Sequence, residues 1–200
     1  MQKEFQPQYP LLYSLQGYQY CDLLLGQGKY KEVRERGRKT LSWATEHLGL
    51  LEIALDHLSL GRACILEGES GFAEAQVQLD QAVAGLRQAG TQHELPRGLL
   101  ARAALYRLRG DFAHAQRDLD EALLIATRGS MRLHEADCHL EQARLSLAAG
   151  DLARARAIAS RARAIIQETG YHRRDHELAE LEERLRKAES QASSSGSEGA

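Results

Sequence analysis

Gly71-Phe72-Ala73-Glu74-Ala75-Gln76, Asp111-Phe112-Ala113-His114-Ala115-Gln116 and Asp151-Leu152-Ala153-Arg154-Ala155-Arg156 are three copies of one pattern, set forty residues apart. The match continues down each copy, through Leu79, Leu119 and Ala159 and then Ala82, Ala122 and Ala162. A degenerate earlier copy begins at Tyr30 and puts Val33, Gly37 and Thr40 in the same slots. A fixed period of this size marks stacked units, each too thin to bury its own apolar face. Such arrays present long surfaces to partners and rarely carry chemistry.

Each unit reads as two helices. In the second, apolar or small residues fall in one stripe: Phe112, Ala115, Leu119, Ala122 and Ala126 in one copy, Leu152, Ala155, Ala159, Ala162 and Ile166 in the next. Asp111 and Asp151 follow a glycine and are suited to accept from the free N–H groups of a first turn. Gly90, Gly129 and Gly170 stand where these helices should end, as left-handed caps. The first helix of each pair carries a small residue in one phase (Cys21, Ala63, Ala103, Ala143), which lets helix axes approach closely. Pro10 and Pro96 stand near helix starts, where a missing N–H does no harm. Nine helices are predicted, over 10–27, 30–47, 51–68, 71–89, 96–109, 112–128, 131–149, 152–169 and 173–189. The last is polar on much of its surface (Glu177, Glu180, Glu182, Glu183, Arg184, Arg186, Lys187), as a helix closing a stack must be. Recurrent glycines break any heptad, which argues against a long coiled coil.

Leu100, Ala103, Leu105, Gly110, Asp111, Phe112, Ala115, Leu119 and Ala122, with the same slots at Leu140 through Ala162, resemble the tetratricopeptide repeat in a lengthened form. The resemblance covers roughly residues 10–187 and implies an all-α, right-handed superhelical solenoid of antiparallel helix pairs. Its parts would be an extension at 1–9, repeats at about 10–49, 50–90, 95–129 and 131–170, a cap helix at 173–189 and a disordered tail at 190–200. The usual tryptophan of the first helix and the closing proline are missing. Arg62, Arg102 and Gln142 occupy a slot where a large residue is usual, hinting at a polar seam. Tyr9-Pro10-Leu11-Leu12-Tyr13-Ser14-Leu15, Gln19-Tyr20-Cys21-Asp22-Leu23-Leu24-Leu25, Leu95-Pro96-Arg97-Gly98-Leu99-Leu100 and Gly170-Tyr171-His172-Arg173-Arg174-Asp175 are similar to the C-terminal arrays of bacterial STAND-type signalling NTPases. In those proteins the array senses a partner and an attached nucleotide-binding domain responds. No phosphate-binding loop accompanies the array here: Gly26-Gln27-Gly28-Lys29-Tyr30 has Leu23 where the first glycine belongs and Tyr30 where the hydroxyl belongs.

Composition narrows the partner classes. With 26 basic and 28 acidic residues and a net charge of −2, no general attraction to nucleic acid or membrane is expected. Cys21, Cys64 and Cys138 are odd in number and far apart, so reduced thiols and a cytoplasmic setting are expected rather than a disulfide framework. No apolar leader or membrane-spanning run is evident.

Little in the sequence supports chemistry. His172 and His176 are spaced i, i+4 and could share a metal, but no third ligand stands near, and two solvated histidines is the simpler reading. His134, Asp137, Cys138 and His139 would need help from another helix; the simpler reading packs Cys138 and exposes His134. No strained nucleophile turn or oxyanion motif is present, so an enzyme, including a metal-dependent one, is disfavoured, and no metal or cofactor is expected. Residues 151–174 are locally basic through Arg154, Arg156, Arg161, Arg163, Arg173 and Arg174, but only Tyr171 could stack on a base; a solvated helix face is favoured over nucleic-acid binding.

The polar residues with most functional promise lie on the first helices of the pairs, which in related arrays line the concave face. Asp22, Arg62, Arg102 and Arg144 are expected there, with Arg97, Arg107, Asp137 and Glu141 on its rim. Arginine can grip a carboxylate with two parallel hydrogen bonds, so a protein or peptide with an acidic segment is the expected ligand. Two roles stay open for these eight residues: contact with a partner, or ion pairs between neighbouring repeats. The expected function is accordingly a non-enzymatic binding scaffold or sensor module, with a detached sensor region of a STAND-type NTPase as the alternative.

Overall fold

A computed structural model describes residues 11–47 and 49–197, with the backbone alone for 44–47 and 193–197. Among the described residues there are nine α-helices and no strand. They are α1 Ser14–Gly26, α2 Tyr30–His47, α3 Leu50–Leu66, α4 Phe72–Gln88, α5 Leu95–Leu108, α6 Phe112–Arg128, α7 Arg132–Ala148, α8 Leu152–Thr169 and α9 Asp175–Ser197. Short 3-10 turns at Glu69–Gly71 and His172–Arg174 precede α4 and α9. The chain forms two compact units that divide between Leu105 and Tyr106, inside α5.

Capping residues fix several boundaries. Asp111 accepts from the His114 N–H at 3.2 Å and Asp151 from the Arg154 N–H at 3.0 Å, which satisfies a free donor in the first turn of α6 and of α8. Gly170 ends α8 in the left-handed conformation, with φ 68°. Gly129 does not take that role after α6. It keeps φ −85°, and Ser130 adopts φ 52° instead. A Cβ at Gly129 would stand 2.9 Å from Met131 Cε, the movable end of that side chain, and 3.2 Å from the Ile125 carbonyl, so the position is close-packed and has no handedness requirement. Two other boundaries depart from the sequence reading. α1 starts at Ser14, and Pro10 lies outside the described residues. α9 continues to Ser197, into the segment read as tail, because extending a formed helix adds a hydrogen bond per residue without a new nucleation cost.

In the first unit α3 packs against α1, α2 and α4; in the second α7 packs against α6, α8 and α9. Pairing is therefore between chain neighbours and, for α1 with α3 and α7 with α9, between successive first helices. The stripe positions are the core: Ala75, Leu79, Ala82, Ala115, Leu119, Ala122, Ala155 and Ala162 are completely buried. Each buried leucine contributes about 1.5–3 kcal/mol relative to exposure. Val33 and Thr40 of the degenerate copy are buried in the same way. Layering separates the two helix types. α3 exposes only Leu50 and Leu66, and α7 only Leu133 and Ala148, all at helix ends, whereas α4 and α8 each expose a full face. α3 and α7 are thus the inner helices of their units.

Candidate functional site

An inner helix that is covered on nearly all sides can keep charged residues only if they are paired. The first unit solves this around one tyrosine. Tyr18 and Asp22, one turn apart on α1, meet Arg62 of α3: its Nη2 lies 2.7 Å from Asp22 Oδ1 and its Nη1 donates to the Tyr18 hydroxyl at 3.0 Å. The Tyr18 ring, almost wholly buried, is faced by the guanidinium of Arg62 at 5.8 Å and that of Arg97 at 5.1 Å. Such contacts stabilise by about 0.5–1 kcal/mol each. Arg97 in turn stands 2.7 Å from the buried Glu94. Asp22, Arg62 and Arg97 are thus gathered into one cluster by Tyr18 and Glu94, which the sequence reading did not single out. Arg102 donates from Nη1 to Asp80 on α4 at 2.9 Å.

The second unit carries a longer chain of alternating charge. Arg107 at the end of α5 donates from Nε to Glu141 of α7 at 2.6 Å, and Arg144 reaches Glu141 at 3.2 Å. Arg144 also binds Glu177 of α9 at 2.9 Å; Glu177 is held from its other side by Arg174. Arg174 closes the series on Asp137 at 2.7 Å, and its guanidinium faces the Tyr171 ring at 5.6 Å. Three guanidinium groups meet three carboxylates across α5, α7, the turn before α9 and the start of α9. Arg107, Asp137, Glu141 and Arg144 come together here, joined by Tyr171, Arg174 and Glu177. Glu141 is only 5% exposed, so it lies inside the network and not on a rim. Glu177 and Arg174 are likewise engaged inward, where sequence patterning had counted them with a solvated cap and a solvated basic face. They pair with each other within one turn, but their inward partners, Arg144 and Asp137, lie more than thirty residues away and leave no local signature.

Electrostatics follow from this arrangement. Burial pulls the Glu177 carboxyl upward, but Arg174 and Arg144 outweigh it and hold it below its ordinary range. Arg174 is likewise raised despite its own desolvation, because Asp137 and Glu177 stabilise the cation. Burial pushes the Tyr171 phenol up, with Asp137 adding to it.

The remaining candidates stay dispersed. His172 pairs with Asp175 at 3.0 Å and His176 stands 3.8 Å from Glu180, each well exposed and each with its own acid. Cys138 is fully buried, and burial pushes its thiol upward; His134 is half-buried, not exposed as expected. Burial raises the Cys64 thiol to about 11 and lowers His139, which keeps both neutral near pH 7. The three cysteines are buried and unpaired. Among the described residues no group of three or more His, Cys, Asp or Glu is placed to hold a metal ion, and no helix is long and apolar enough to cross a membrane. No protein-family model matches the chain, and no curated protein matches its sequence.

Proposed function

We propose that this chain is a non-enzymatic scaffold or sensor module that holds a protein or peptide against its inner helices, in the manner of a tetratricopeptide array. The observation that carries the reading is the set of half-buried, partnered charges on the first helices of the pairs, Asp22 with Arg62 in the first unit and Arg107 with Glu141 and Arg144 with Glu177 in the second. Interiors that serve packing alone tolerate apolar residues at such sites, and replacing a buried ion pair by well-packed hydrophobics is often neutral or stabilising. A ligand able to exchange with these pairs supplies a reason for them.

The expected acidic ligand is sharpened by the pairing. Each arginine already has an internal carboxylate, so an acidic segment gains nothing from unmatched positive charge. Its entry point is Glu177, the most exposed carboxylate of the second network, at 32% for its side chain. A ligand carboxylate would take the place of Glu177 between Arg144 and Arg174. The test is quantitative affinity capture from a lysate with the wild-type chain and with Arg144→Ala. The partner is identified by mass spectrometry and re-measured in purified form by calorimetry. The expected result is a specific partner lost on Arg144→Ala at unchanged helicity. Equal capture by both chains would remove the inner face from the account.

The similarity of the Tyr9–Leu15, Gln19–Leu25, Leu95–Leu100 and Gly170–Asp175 strings to STAND-type arrays favours a second, narrower reading: a sensor region that acts on a nucleotide-binding domain. Its test is whether the captured partner is an NTPase and whether the chain alters its hydrolysis rate.

A further inference from the structure

The degenerate first copy differs from the others at several core slots, and one pair of them is polar. Where the later copy has Ala122 and Ala136, both completely buried, the first unit has Thr40 on α2 and Asp56 on α3. Thr40 is 2% exposed, and its hydroxyl lies 2.8 Å from Asp56 Oδ1, 3.2 Å from the Arg36 carbonyl and 3.2 Å from the Gly37 carbonyl. Three acceptors thus surround a group with a single proton. A protonated Asp56 resolves the shortage. The acid donates to Thr40 Oγ1, and the Thr40 proton turns to a backbone carbonyl of α2, so both hydrogen bonds are made. An ionised Asp56 takes the Thr40 proton for itself and remains a carboxylate between packed helices.

We infer that Thr40 and Asp56 form a protonation-dependent joint between α2 and α3, closed when Asp56 is neutral and loosened when it ionises. The surroundings support the neutral form. Burial is the dominant influence and pushes the Asp56 carboxyl up to about 7, with Glu52 of α3 adding to it by like charge; Thr40 and Arg36 of α2 act against it without prevailing. Arg36 is directed elsewhere, donating to the Leu12 carbonyl at 2.6 Å and stacking on Tyr20 at 4.7 Å. Glu52 is held by the Ser14 hydroxyl at 3.0 Å. From α1, Cys21 faces the same group, and burial raises its thiol too, so it brings no charge near neutrality. Ser59 of α3 binds that thiol and the Leu55 carbonyl.

The sign follows from linkage. Asp56 binds its proton more tightly in the folded chain than in the unfolded one, whose carboxyl stays near 3.8. The stabilisation is complete below about pH 4, declines as pH rises, and is gone above about pH 7. Carbon-13 NMR of the wild-type chain should show the Asp56 carboxyl titrating near pH 7; a midpoint below pH 5 overturns the inference. Denaturant unfolding read by Trp43, the only tryptophan, should give an unfolding constant that rises about a hundredfold between pH 5 and pH 8. Asp56→Asn, an uncharged isostere, should flatten that rise. An undiminished rise in Asp56→Asn overturns the inference as surely as a low NMR midpoint. If Asp56→Asn does not fold, the wild-type titration decides alone.

Discussion

Glu141→Ala is the perturbation that discriminates most sharply within the second unit. Glu141 is buried on α7 and accepts from Arg107 Nε at 2.6 Å and from Arg144 Nη1 at 3.2 Å. Truncating it leaves two guanidinium groups facing an empty position. Removing one partner of a buried pair costs about 3–5 kcal/mol. Arg144 retains Glu177, and the Arg107 and Arg144 side chains keep 14% and 23% exposure, so the low end applies, about 3 kcal/mol. Glu141→Gln keeps the shape and one acceptor and should cost about 1–2 kcal/mol. The double change Glu141→Met with Arg107→Met removes both charges and should fall within about 1 kcal/mol of wild type. Urea unfolding followed by far-ultraviolet circular dichroism reads these differences. With a slope of about 2 kcal/mol per molar urea, the alanine variant should shift its midpoint by about 1.5 M. An alanine variant within about 0.5 kcal/mol of wild type would refute burial of the pair. A double variant as unstable as the single one would refute its being an ion pair at all.

Other expectations are narrower. Ala115→Arg forces a long cation into a completely buried helix contact and should destabilise by at least about 3 kcal/mol, read as a lost or strongly lowered thermal midpoint. Gly61→Ala gains about 1 kcal/mol of helix propensity, but its Cβ would stand 2.6 Å from Leu79 Cγ; the overpacking, about 1–3 kcal/mol, should prevail and lower the midpoint. The lowered Glu177 carboxyl gives the second unit a pH response opposite to that of Asp56. Stability present above the ordinary carboxylate range is lost as pH falls through the folded value, so acid unfolding should be blunted in Glu177→Gln. Arg102→Ala removes the ion pair with the half-exposed Asp80 and should leave helicity intact, read by circular dichroism, while weakening partner capture.

Much of the architecture was legible because it rests on local rules. The stripe through Phe112, Ala115, Leu119 and Ala122, the aspartate caps and the recurring glycines each act within a turn or two. They placed α2, α6 and α8 at the observed residues and the other helices close to them. What stayed hidden depends on residues far apart in the chain. Arg62 reveals that a polar group must be accommodated, but not that Tyr18 and Asp22, some forty residues earlier, will accommodate it. The Arg144–Glu177–Arg174–Asp137 series is invisible for the same reason. Gly129 misled because a glycine after a helix suggests a left-handed cap, and here Ser130 takes that conformation at a modest conformational cost. Thr40 was visible as a mismatch in an otherwise apolar slot, and it now marks the Asp56 joint.

The proposed docking face is made by the first helices of the pairs. Hydrogen–deuterium exchange of the chain with and without its captured partner tests this most directly. Slowed exchange is expected in the inner helices beside Arg62, Arg107, Arg144 and Glu177, with the exposed faces of α4 and α8 unchanged. Slowing confined to α4 and α8 would contradict the account.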